Sequence, residues 1–135
     1  MAGDIKVRKN WLKGMYIYTI VAGLFGLGML LVPELIKSIY AWPVAEPIVF
    51  GIVGSVFLVE GILSIFGLRD PLKFSPVLLL QLCYKLVWFV GVVVPLVAVG
   101  KFPMYALGFV ITFATFIIGD LIAIPFAYLF AKPTK

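Results

Sequence analysis

The sequence predicts an all-α integral membrane protein: one four-helix bundle, residues 1–135, with both termini cytoplasmic. Three observations predict it. Of 135 residues, 64% are hydrophobic and only 13% charged, with a mean hydropathy of +1.19, which no ordinary soluble domain approaches. Four apolar stretches, at about residues 15–32, 48–68, 77–99 and 104–130, are each long enough to cross a hydrocarbon core of about 30 Å at about 1.5 Å per residue. Lysine and arginine collect on one side of these stretches. Only short loops and two tails remain, too little for a soluble catalytic domain.

The spans are expected to be helices, because backbone groups in lipid must bond within their own segment and the runs lack the period-2 alternation of barrel strands. The first span follows a basic start, as a signal peptide would, but no small-x-small cleavage pattern ends it and Pro33-Glu34 follows, so a retained helix is expected. Residues 4–13 and 34–42 are candidates for lying along the two interfaces. Tyr16 and Tyr128 on one side, and Tyr40, Trp42 and Tyr105 on the other, suit aromatic belts.

Prolines punctuate the links: Pro33, Pro43 and Pro47 bound the first, Pro71 and Pro76 the second, and Pro103 the third. In the second, Arg69-Asp70-Pro71 makes a tight charged turn, Ser75 is the expected cap of the third helix, and Pro76 its first residue. Arg69 and Lys73 are the candidate contacts for lipid headgroups or a partner subunit. Pro95 and Pro125 fall late in the third and fourth spans, where each is expected to kink its helix.

Orientation follows from the basic residues. Lys6, Arg8, Lys9, Lys13, Arg69, Lys73, Lys132 and Lys135 lie on one side and only Lys37 and Lys101 on the other, which places the first side in the cytoplasm. The net charge of +5 is this same bias; it favours anionic lipid and implies no nucleic-acid partner. A bacterial or archaeal cytoplasmic membrane is the expected location.

Three ionisable residues interrupt the apolar runs: Glu60, Lys85 and Asp120. Counted from the cytoplasmic ends, Glu60 lies about 12 Å deep and the other two about 15 Å. Each costs about 2.5–3.5 kcal/mol near the centre of an inserted helix, so facing one another inside the bundle is the cheaper arrangement. Gln81, Lys85 and Trp88 share one helix face, with Tyr84 adjoining; Glu60, Ser64 and Gly67 share another. Gly108, Thr112, Thr115 and Gly119 form a small-residue seam beside Asp120. The first span offers Tyr16, Thr19, Gly23 and Gly26 but no charge, and is the expected packing partner of the cluster.

Two carboxylates and one ammonium sum to minus one, so either one carboxyl is protonated or a cationic ligand group completes the site. A ligand- or proton-binding set of Glu60, Gln81, Tyr84, Lys85 and Asp120 is therefore expected, lining a cytoplasm-side cavity, with Ser64, Trp88, Thr112 and Thr115 around it. The competing reading is a Lys–carboxylate pair that locks helix register.

The residue inventory excludes other chemistry. With no histidine, His-ligated haem, copper and most zinc sites are out, and no cofactor or metal is expected. The single cysteine, Cys83, is expected to be a packing residue. No phosphate loop or catalytic constellation is present, which argues against an enzyme.

In length, four spans, in-in topology and short loops, the whole chain resembles the small DoxX-like membrane proteins and similar uncharacterised four-helix families. The likeness is one of layout and implies no site residue. Two functions remain: a bundle that binds or passes a small polar, amphipathic or anionic ligand, with a proton as candidate co-ligand, and an accessory or scaffold subunit of a larger membrane complex. Gly51 and Ser55, on the helix face away from Glu60, offer a contact for a second copy or a partner.

Overall fold

The computed structural model describes residues 7–43 and 46–133. Lys6, Lys135 and the first residues of the 4–13 stretch lie outside that range. Helices α1 (Lys9–Leu31), α2 (Pro33–Ile39), α3 (Pro47–Arg69) and α4 (Ser75–Trp88) are followed by a π-helical turn at Phe89–Val93. Then come α5 (Val94–Ala98), a 3₁₀ turn at Met104–Ala106, α6 (Leu107–Ala123) and α7 (Phe126–Leu129). Among the described residues, four helical stretches are long and apolar enough to cross a membrane: Lys9–Leu31, Pro47–Arg69, Ser75–Ala98 and Met104–Ala123.

The distribution of side chains inverts that of a soluble protein. Leu24, Ile48, Val87 and Val90 are among many aliphatic residues turned outward, while Glu60, Gln81, Lys85 and Asp120 are buried. Such an exterior suits hydrocarbon rather than water.

Proline explains where the observed elements depart from the expected ones. Pro95 has no N–H and its ring crowds the carbonyl four residues back, and the backbone widens into the π turn just before it. Pro125 ends α6 at Ala123, leaving Ile124 extended and Phe126–Leu129 as a separate turn. The fourth span is thus shorter than expected, a stop rather than a kink. Arg8 donates to the Ile122 carbonyl at 3.2 Å, occupying one of the acceptors that the ending of α6 leaves free. Ser75 is not the cap of α4: it lies within the helix, and its hydroxyl donates back to the Leu72 carbonyl at 2.7 Å.

Helix α3 does carry a side-chain cap. Glu46 accepts from the N–H groups of Ile48 at 2.9 Å and Val49 at 2.7 Å. These bonds favour the ionised form and hold the Glu46 carboxyl below its ordinary range. A depressed folded-state value stabilises the helix above the unfolded Glu value of about 4.3, and that stabilisation is lost as pH falls through the folded value. Acid titration monitored by helicity should therefore show wild type losing stability below about pH 4.3, with a Glu46→Gln variant lacking this component.

The closest packing is between α1 and α3, which run antiparallel. A Cβ placed on Gly23 would sit 2.9 Å from the Gly61 Cα, and one on Gly26 would be 2.5 Å from the Gly54 carbonyl oxygen. Gly67 lies against the Tyr16 ring, whose hydroxyl donates to the Pro71 carbonyl at 2.5 Å. Tyr16 is fully buried and so is a core residue, not the interfacial anchor expected of it. Helix α6 lies antiparallel to α1, with Gly119 against the Met15 side chain and Gly108 against the Tyr40 ring. The seam of small residues thus works at its glycines. Thr115 faces outward, sharing a 2.6 Å hydrogen bond with Tyr18.

All four long stretches bring their basic ends to one side. Leu12, Met15, Tyr16, Leu78, Leu82, Phe116, Ala123 and Ile124 form an apolar plug there. At the far end Tyr40 stacks on Phe109 at 4.7 Å, and Trp42 meets Tyr105 and Phe109 edge-on. These aromatics pack on one another and tie the chain around α2 to α6.

Candidate functional site

Glu60 on α3, Gln81, Tyr84 and Lys85 on α4, and Asp120 on α6 come together at mid-height. Lys85 Nζ donates to the Tyr84 hydroxyl at 3.0 Å, and that hydroxyl donates to Glu60 Oε2 at 3.3 Å. On the other side Gln81 Nε2 donates to Asp120 Oδ1 and to the Thr19 hydroxyl, both at 3.1 Å. Thr19 on α1 is the polar partner that the sequence offers only as a packing position.

Lys85 is held in an unusual way. Its Nζ lies 4.4 Å from the Tyr84 ring centroid, 4.4 Å from Phe116 and 5.0 Å from Phe113. Among the described residues the ion pair within 4.0 Å is Lys37–Glu34, so neither buried carboxylate salt-bridges Lys85 directly. Ring faces attract a cation but leave its N–H donors free. The two phenylalanines carry no polar atom, so residue type alone gives no sign of their role.

The carboxylates are incompletely bonded as well. Glu60 Oε1, Asp120 Oδ2 and the Ser64 hydroxyl are buried with no hydrogen-bond partner among the described residues. An unmet buried polar atom costs about 1–3 kcal/mol, more if charged.

Two cavities adjoin the cluster. One of about 80 Å³, between α1 and α6, is lined by Glu60, Gln81, Lys85, Thr112 and surrounding aromatics. The other, of about 600 Å³ between α3 and α4, reaches Tyr84 and Trp88 at one end and Trp42 and Glu46 at the other. Phe57, Phe109 and Phe113 line both. Asp120 lines neither and is fully buried. Both of these cavities extend from the cluster toward the far end, while at the basic end Gly67 packs against Tyr16 and Gly119 against Met15.

Of the surrounding residues, Trp88 and Thr112 line the cavities and Ser64 is buried on α3 one turn from Glu60, whereas Thr115 lines neither cavity. Arg69 and Lys73 are exposed at the basic end, away from the cluster. Cys83 faces outward from α4 and is not a packing residue of the core. Among the described residues no group of three or more Cys, Asp or Glu side chains is placed to hold a metal.

Replacing Tyr84 by phenylalanine should lower stability by roughly 1–3 kcal/mol, since the change strips Glu60 Oε2 of its bond and Lys85 of its acceptor. Thermal unfolding in lipid nanodiscs checks this, and an unchanged midpoint would mean that the hydroxyl bridge carries no weight.

No family model, curated protein or solved structure matches the chain.

Proposed function

We propose that this protein binds or passes a small polar or amphipathic ligand at the Glu60–Gln81–Tyr84–Lys85–Asp120 cluster, with its basic end in the cytoplasm. The observation that carries the reading is the set of unbonded polar atoms, Glu60 Oε1, Asp120 Oδ2 and Ser64 Oγ, together with a caged ammonium that salt-bridges neither carboxylate. A register lock would be expected to pair its charges and fill their bonds. In this cluster Lys85 holds one side of the Tyr84 bridge while the free carboxylate oxygens offer places for a proton or a ligand donor. Proton exchange on Glu60 or Asp120 as the ligand comes and goes would keep the net charge of the site balanced.

The accessory-subunit reading draws on a different surface: Gly51 has nothing within 4 Å of its added Cβ, and Ser55 beside it is exposed on the outer face of α3. Nothing in the cluster requires that surface.

Native mass spectrometry of protein released from nanodiscs separates the two. Wild type should carry a bound small molecule that the Glu60→Gln/Asp120→Asn variant loses while remaining folded. No bound molecule on any form, with the neutral variant unfolding, would make the charges a structural lock.

A further inference from the structure

The space between α3 and α4, at about 600 Å³, falls within the range of about 300–1,000 Å³ typical of small-molecule sites, and it opens to the outer surface, where Val49, Ile52, Val56 and Leu80 of its walls are exposed. Its walls are rich in aromatic rings, including Trp42, Trp88, Phe50 and Phe57. Among the described residues the charged side chain that lines it is Glu46, and neither lysine nor arginine does. Glu46 is kept ionised by the first N–H groups of α3. Toward the inner end stands Tyr84, whose hydroxyl donates to Glu60 and accepts from Lys85. Lys85 lines the other cavity, behind the rings of Tyr84 and Phe113.

A positively charged molecule in this space therefore meets a carboxylate at the mouth, ring faces along the walls and a carboxylate-bonded hydroxyl at the inner end. A negatively charged one meets the Glu46 carboxylate and the ring faces with the opposite sign of interaction, and the Lys85 ammonium lies beyond the Tyr84 hydroxyl rather than in the wall. Ring quadrupoles attract cations most strongly where water is excluded.

We propose that the α3–α4 cavity binds lipophilic organic cations: amines or quaternary ammonium or phosphonium compounds with an apolar body. This deepens the function proposed above by naming its ligand class, and it rests on that reading for the role of Glu60.

Tetraphenylphosphonium and tetraphenylborate test it, being nearly matched in size and shape and opposite in charge. Binding is measured by equilibrium dialysis against protein-loaded and empty nanodiscs. The phosphonium should bind saturably and at least roughly tenfold more tightly than the borate, and Glu46→Gln should weaken it by roughly three- to tenfold. Val53→Trp, which fills the cavity from α3, should abolish it, with a melting curve confirming the fold. Equal or tighter borate binding, or phosphonium binding that survives both substitutions, would overturn the assignment. If the phosphonium binds as described but Glu60→Gln changes neither its affinity nor the pH dependence of that affinity, the cavity assignment stands and the cluster reading fails. If cluster variants lose a co-purified ligand while the phosphonium does not bind, the cation assignment alone fails.

Discussion

Leucine at Gly23 or Gly61 is expected to abolish the folded bundle, while leucine at Gly14 or Gly51 leaves it intact. At the first pair even a Cβ would lie 2.8–2.9 Å from the opposing glycine Cα, and the obstruction is backbone, which cannot rotate away. At Gly14 and Gly51 nothing lies within 4 Å of the added atom. Association of helices in lipid depends on close packing rather than on expulsion of water, so separating α1 from α3 removes what holds them together. Overpacking typically costs about 1–3 kcal/mol and more where backbone must move, and α1 also carries Thr19 into the polar cluster. Unfolding in mixed micelles of increasing denaturing detergent should show Gly23→Leu and Gly61→Leu unfolded where wild type is still folded. Wild-type stability in either would mean that α1 and α3 are not bound through this crossing.

The second large effect concerns charge. Lys85→Met should destabilise the protein by about 3–5 kcal/mol, because two buried carboxylates then share the bundle with no cation. Adding Glu60→Gln and Asp120→Asn to it should recover that loss and exceed wild type by about 1–4 kcal/mol, since removing a whole buried charge set is often stabilising where removing one member is not. The same unfolding assay reads both. A triple variant less stable than Lys85→Met alone would mean that the carboxylates stabilise the fold without their lysine, and the cluster would then be a structural element rather than a site.

Much of the architecture is legible in the sequence because lipid imposes few solutions: long apolar runs, helical by necessity, with basic residues at one end. The faces of α1, α3 and α4 follow from spacing alone, and Tyr16, Thr19, Gly23 and Gly26 are all buried as one stripe. Glu60, Gln81, Lys85 and Asp120 can be grouped because depth is countable along a straight helix. What is not legible depends on the third dimension. The aromatic cage of Lys85 needs Phe113 and Phe116 from α6, whose types carry no polar signal. The plugging of the basic end depends on Gly67 and Gly119 admitting Tyr16 and Met15 side chains, which no single-helix pattern encodes. Thr115 departs from its expected place for a related reason: it faces outward from α6, and its hydroxyl is shared with Tyr18 of α1 instead of with the charges.

The central claim is that the buried charges form an open site. A crystal structure from lipidic cubic phase tests it most directly. An open site should show density for water or a small molecule within hydrogen-bonding distance of Glu60 Oε1, which borders a cavity, with Lys85 still among the rings of Tyr84, Phe113 and Phe116. A Lys85 ammonium salt-bridged directly to either carboxylate, with every buried oxygen bonded to protein and no density between the helices, would contradict it.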